Sequence, residues 1–180
     1  MLFRSKVLKK GWAQRPADLK RLDLQRDLSP DWFQRPDMAG YVFYIDRFNG
    51  TLTGILDKLD YLQDLGITYV HLMPCLKPRP GDSDGGYSVM DYRQVNPAYG
   101  TMEDFQTVSA ALRARGISLC VDLVLNHTSI QHPWFIESSS SKDNPKADWY
   151  IWRDGKGKKR PPNNWKALPG GSGWQYHPDR

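Results

Sequence analysis

Two short stretches hold the residue types that chemistry on a hydroxylated substrate needs. The first runs from Gly81 to Tyr92 and contains Asp84-Gly85-Gly86-Tyr87. Taken alone, such a stretch is a glycine-flexed turn with solvated acids. A carboxylate set beside an aromatic ring nevertheless suits a pyranose: the acid accepts hydrogen bonds from sugar hydroxyls, and the ring stacks on the apolar sugar face. The second is Asp122-Leu123-Val124-Leu125-Asn126-His127-Thr128, an apolar run that turns polar at its carboxyl end. A charged Asp in such a run is costly unless paired, so Asp122 is expected to have a partner or a task. Strand alternation puts Asp122, Val124 and Asn126 on one face and leaves His127 at the rim. A lone His is more often a structural hydrogen-bonder than a catalyst.

The elements that must position these stretches follow from hydrophobic periodicity. Tyr41 to Ile45 is a β-rich apolar run, which predicts a strand buried on both faces. Ile55, Leu56, Leu59, Leu62 and Leu65 recur at helical spacing and predict one helix from Thr53 to Leu65, stopped by Gly66. A second strand is predicted from Thr68 to Met73, closed by Pro74, and a long loop carries the chain onward. Thr101 and Asp104 form a capping-box pattern ahead of Phe105, Val108 and Leu112, and Gly116 ends that helix. The third strand is predicted from Ile117 to Leu125. The junctions Leu65-Gly66-Ile67-Thr68 and Arg115-Gly116-Ile117-Ser118 are alike, as if one βα unit were reused.

Strands alternating with helices mean an α/β protein with a parallel sheet. A doubly wound sheet and a (β/α)8 barrel both fit that alternation. No G-x-G-x-x-G follows any strand, and polar and aromatic residues gather after the strand ends, where barrel sites lie. The barrel is favoured. Residues 1–38 read as a polar helical segment broken at Ser29-Pro30 and Arg35-Pro36. Residues 39–128 read as the first part of the barrel, and 129–180 as part of a long irregular insertion after the third strand.

Composition narrows the remaining classes. The chain has 180 residues, 39% hydrophobic and 25% charged, enough to bury one core and unlike a disordered chain. The formal charge of +5 is concentrated in the amino-terminal stretch and in Lys156, Lys158, Lys159 and Arg160. Glycines and prolines interrupt that second cluster, which predicts a solvated loop and no nucleic-acid partner. No secretory signal opens the sequence, and no stretch nears the roughly 18 apolar residues of a membrane span. A cytoplasmic protein without membrane attachment is expected. Cys75 and Cys120 are expected to be two small buried thiols in preference to a disulfide or a metal pair.

The two stretches together, Asp-Gly-Gly-Tyr after the second strand and Asp-x-x-x-Asn-His ending the third, resemble glycoside hydrolase family 13, the α-amylase family. Trp32-Phe33-Gln34-Arg35-Pro36-Asp37-Met38, Asp46-Arg47-Phe48, Leu72-Met73-Pro74 and Asp84-Gly85-Gly86-Tyr87 resemble the amylosucrase branch, to about residue 128. Asp148-Trp149-Tyr150-Ile151-Trp152-Arg153-Asp154 and Pro161-Pro162-Asn163-Asn164-Trp165 resemble the α-glucosidase and oligo-1,6-glucosidase branch, from about 129 onward. The chain thus looks like a splice of two relatives at a motif both share.

The resemblance implies a partial (β/α)8 barrel and a substrate that is sucrose or another α-glucoside. It implies that Asp84 grips hydroxyls of the glucose at the cleavage point, that Tyr87 stacks beneath that ring and that His127 donates to a hydroxyl. Asp122 and Asn126 support them. Asn126 helps hold calcium in some relatives, but Asp46-Arg47-Phe48-Asn49-Gly50 replaces the glucosidase-type metal loop, so no metal and no cofactor are expected. In the family the nucleophile follows the fourth strand and the acid follows the fifth, and a retaining reaction needs both roughly 5 Å apart. The chain is therefore expected to be a truncated enzyme without turnover of its own. Two other readings stand beside it: a non-catalytic sugar-binding or structural remnant, and an oligomer that recruits Asp84, Asp122 or Glu137 as makeshift carboxylates. Unpaired sheet edges predict a homo-oligomer in any of these.

Overall fold

The computed structural model describes residues 2–82, 84–157, 159–168, 170–178 and 180. Ser83 of the first stretch and Lys158 of the basic cluster lie outside the described residues. The chain opens with two helices, α1 (Leu2–Gln14) and α2 (Ala17–Leu28), followed by a 3-10 turn at Trp32–Gln34. It then builds β1 (Gly40–Phe43), α3 (Ile45–Asn49), α4 (Leu52–Leu56), α5 (Leu59–Asp64) and β2 (Tyr69–Leu72). The hairpin strands β3 (Leu76–Pro78) and β4 (Val89–Val95) come next, then α6 (Met102–Ala114) and β5 (Ser118–Val121). The tail adds α7 (Pro133–Ser140) and a 3-10 turn at Ala147–Trp149.

β1, β2 and β5 form one parallel sheet in that order. This is the βα repetition expected from the sequence. Its register aligns Phe43, Leu72 and Val121 in one row and Val42, His71 and Cys120 in the next. The helices cover one face of the sheet. Leu52, Ile55, Leu62, Val108 and Leu112 are fully buried there against Val70 and Leu72, and Phe43 stacks on Phe48 with ring centroids 4.0 Å apart. The capping box is present as expected: Asp104 N donates to Thr101 Oγ1, and Thr101 N to Asp104 Oδ2.

Several expectations need correction. β1 is buried on one face only: among the described residues no helix covers the row of Val42, which is 58% exposed. Cys120 shares that row and is exposed, whereas Cys75 is buried. The first strand ends at Phe43, and Ile45 opens α3 instead. The single predicted helix is two, because Asp57 N bonds to Gly54 O and Lys58 N to Ile55 O, a tighter i→i+3 pattern. The third strand stops at Val121, though Asp122 N still reaches Leu72 O at 3.4 Å. The long loop contains an antiparallel hairpin, and the irregular tail contains α7, whose amino end is capped by His132 and started by Pro133.

Candidate functional site

The two stretches meet at the carboxyl end of the parallel sheet. Asp122 lies one residue beyond β5, on the face that Cys120 and His71 share, so the register alone brings it towards His71 on the neighbouring strand. Asp122 Oδ1 is 3.1 Å from His71 Nε2, and its Oδ2 accepts the Tyr87 hydroxyl at 3.2 Å. The expected partner of Asp122 is therefore two partners. Both side chains remain partly open, His71 at 32% and Asp122 at 25%, so this pair is hydrated and not a buried ion pair. Burial first, then the bond to the Asp122 carboxylate, pushes the Tyr87 hydroxyl above its ordinary value. It stays a proton donor at neutral pH.

Tyr87 is presented by a backbone that only glycine allows. Gly85 and Gly86 both have positive φ, 80° and 84°. A Cβ at Gly85 would lie 2.9 Å from the Tyr44 hydroxyl, and one at Gly86 would lie 3.0 Å from Pro74 O. The turn thus runs hard against the ends of β1 and β2. Asp84, at the start of the turn, accepts hydrogen bonds from Ser88 N at 3.3 Å and from the Ser88 hydroxyl. Partial burial raises the Asp84 carboxyl, but the Ser88 bonds and the positive charge of Arg79 outweigh it and hold the group below the ordinary carboxylate value. Asp84 is an exposed, ionised acceptor.

His127 closes the same cluster. Its Nε2 lies 3.1 Å from Tyr87 O, and a carbonyl can only accept, so Nε2 carries the proton. Nδ1 is then the acceptor for the Asn126 amide at 2.7 Å. Both ring nitrogens of His127 are engaged. The turn that carries them is held from below by Tyr92, whose hydroxyl lies 2.6 Å from Val124 O and 2.9 Å from His127 O. Burial raises the Tyr92 hydroxyl above its ordinary value, which keeps that proton in place.

Asp84, Tyr87, Asp122, Asn126 and His127 are thus brought together through four intermediaries. Periodicity marked none of them as functional: His71, Tyr44, Ser88 and Tyr92. His71 left a legible signal, a polar residue inside an apolar strand on the same face as Asp122. Glu137 is not among them. It sits on α7, where its carboxylate pairs with Lys146. Cys75 lies close behind β2, where burial pushes its thiol up to about 11, so it is no thiolate at neutral pH. Among the described residues no group of three His, Cys, Asp or Glu side chains could hold a metal ion. No described helix is long and apolar enough to cross a membrane.

Chemically, the cluster offers an ionised acceptor, a ring with a fixed hydroxyl and a second carboxylate behind it. That is equipment for holding a polyol. Comparison with known proteins points the same way. The family model for the alpha amylase catalytic domain matches residues 27–180. An oligo-1,6-glucosidase of Parageobacillus thermoglucosidasius is 52% identical over 127 residues, covering 71% of this chain and 22% of that protein. An alpha-glucosidase of Candida albicans is 50% identical over 131 residues, covering 71% and 23%. The crystal structure of the trehalulose synthase MutB from Pseudomonas mesoacidophila superposes with a TM-score of 0.71 at 43% identity, over 79% of this chain and 26% of that one. A MutB mutant in complex with the substrate sucrose gives a TM-score of 0.73 at 42% identity, over 83% and 27%. The chain spans about a quarter of the length of the relatives it matches.

Proposed function

Because this chain belongs to the alpha-amylase catalytic-domain family, we propose that its cluster is part of the subsite that holds the glucose unit of an α-glucoside or sucrose. The observation that carries the proposal is the joint placement of Asp84 and Tyr87. An ionised carboxylate and a ring fixed by Asp122 stand on one glycine-built turn at the end of a parallel sheet. Asp84 accepts from the sugar hydroxyls, Tyr87 offers its ring to the sugar face, and His127 exchanges its bond to Tyr87 O for one to a hydroxyl. Asp122 and Asn126 hold these groups in place. The relatives named for α-glucosides, and the one solved with sucrose, support this substrate class.

In this proposal β1, β2 and β5 are the first three strands of a (β/α)8 barrel, residues 1–38 precede it, and 129–180 belong to the insertion after its third strand. The amylosucrase-like character of the front and the glucosidase-like character of the back belong to the same reading. Free edges at β1 and β5 make a second copy of the chain the natural partner of the sheet. The proposal assigns these residues binding, not turnover. A retaining reaction needs one carboxyl kept protonated as the acid. Asp84 is held below the ordinary value, and Glu137 is committed to Lys146.

Saturation-transfer NMR with maltose, sucrose and glucose tests this. Asp84→Asn and Tyr87→Ala should each weaken glucoside binding by about tenfold, the scale of one charge-assisted bond or one ring contact. Glucose release from maltose or sucrose should be absent. Binding that is unchanged in both variants would overturn the subsite. Steady release of glucose by the pure chain, abolished by Asp84→Asn, would overturn the binding-only role.

A further inference from the structure

We propose that the tail carries a second binding site, separate from the Asp84 cluster, for a pyranose bearing a phosphate or carboxylate group. The tail folds around a groove of about 1190 Å³, somewhat larger than the usual ligand pocket. Its walls share none of Asp84, Tyr87, Asp122 or His127. The site therefore does not rest on the glucose subsite proposed above.

Two features give the groove its chemistry, and the first is flat aromatic surface. Trp165 and Trp174 lie nearly parallel in its wall, with ring centroids 5.4 Å apart and planes 15° from each other. Trp165 is 59% exposed, so a face of the pair is open. The platform is fixed without a ligand: Asn163 Oδ1 accepts both Trp174 Nε1–H at 2.7 Å and Trp165 N–H at 3.1 Å, and Gly173 N donates to Trp165 O at 2.7 Å. Trp152 and the 57% exposed Tyr176 add further rings. Such rings receive the C–H face of a sugar.

The second feature is uncompensated positive charge. Arg153, Lys159, Arg160 and Arg180 line the groove, and among the described residues Asp154 is the carboxylate that lines it with them. Among the described residues none of these four cations forms an ion pair. Among the described residues, Arg153 and Arg160 bond to backbone carbonyls, those of Trp152 and Lys156. Arg180 donates one N–H to Ala147 O and lies 4.9 Å from the Trp152 ring centroid. Its Nε and Nη1 are buried and find no acceptor among the described residues. A buried guanidinium N–H without a partner is expensive, and an anionic oxygen is the acceptor that best satisfies it. The hairpin bonds Lys156 N to Arg160 O and Arg160 N to Gly157 O hold Lys159 and Arg160 at the rim. Rings alone would suit a neutral sugar and cations alone a free anion. Their combination selects a sugar that carries negative charge.

Calorimetric titration of the whole chain with glucose 6-phosphate, glucuronate, glucose and inorganic phosphate tests the assignment. The two charged sugars should each bind about tenfold or more tighter than either glucose or phosphate, the gain from one further charge-assisted contact. Trp165→Ala and Arg160→Gln should each remove most of that gain and Trp165→Phe should keep it, while Asp84→Ala should leave the affinity for the two charged sugars themselves unchanged. Circular dichroism confirms that each variant is folded. Glucose binding as tightly as the charged sugars would overturn the anionic requirement. Phosphate binding as tightly as they do, or indifference to Trp165→Ala, would reduce the site to a patch of charge and overturn the sugar. Loss of binding in Asp84→Ala would place the ligand at the other cluster and overturn the second site.

Discussion

The front sheet and the tail are built on different physical terms. In residues 39–128 stability comes from apolar burial: fully buried Leu, Ile and Val side chains from α4, α5 and α6 close one face of a parallel sheet. In residues 129–180 the contacts are mainly rings and single hydrogen bonds, with the Glu137–Lys146 ion pair among them. Phe135 stacks on Trp152, Trp165 stacks on Trp174, and the buried Ser138 ties Trp152 Nε1 to Ala147 O. Both regions expose large residues, Ile151 at 70% and Trp165 at 59% in the tail and Val42 at 58% in the front. The cluster of fully buried aliphatic side chains, however, lies in the front. A region held by many interchangeable apolar contacts is rigid as a block. One held by a few directional contacts fails piece by piece.

The sharpest test of this contrast is Leu62→Ala, which removes a fully buried side chain from the centre of the helical layer. It should cost about 2–5 kcal/mol and lower the urea midpoint of the whole sheet. Ser138→Ala comes next: it strands Trp152 Nε1–H and one acceptor of the tail, at a cost of about 1–3 kcal/mol. Hydrogen exchange should rise around α7 and Trp152 while α6 stays protected. Loss of protection in α6 as well would show that the two regions melt together. Thr101→Ala takes the cap from α6 and should cost about 1 kcal/mol, read as a small drop in melting temperature with β1–β2–β5 pairing intact.

The smallest effect concerns Asp84. Its carboxyl is held below the ordinary value when folded, so the stability it lends its turn is present above the unfolded value. That stability is lost as pH falls through the lowered folded one. The Ser88 amide shift should follow this titration, and in Ser88→Ala the Asp84 midpoint should move up. A midpoint at the ordinary carboxylate value in the unaltered chain would dissolve the proposed grip.

Much of the front was legible from periodicity because helix and strand repeats differ there without ambiguity. The capping box at Thr101 and Asp104 reported local structure faithfully, whereas the Leu spacing from Ile55 to Leu65 marked helix but missed the break between α4 and α5. Where local pattern and packing disagreed, packing decided. The apolar run at Tyr41 predicted burial on both faces, yet Val42 and Cys120 stand exposed on the second face. The tail was hardest to read, since rings spaced irregularly along a Gly- and Pro-rich segment have no period. At the site the acids and the Asp-Gly-Gly-Tyr turn were visible, but their supports were not. Ser88 and Tyr92 are ordinary residues in sequence and become struts only through the hairpin.

The sequence by itself determined the βα order, the capped start of α6 and the two polar stretches that the proposed subsite joins, because each of these depends on neighbours within a few residues. Only the tertiary structure decided that His71 and Tyr87 converge on Asp122, and that His127 spends its proton on Tyr87 O. It also decided that four cations and a pair of tryptophans share one groove. Those relations depend on strand register and on the crossing of distant segments. A side chain's neighbours across a sheet are set by how the helices pack, and no local pattern encodes that.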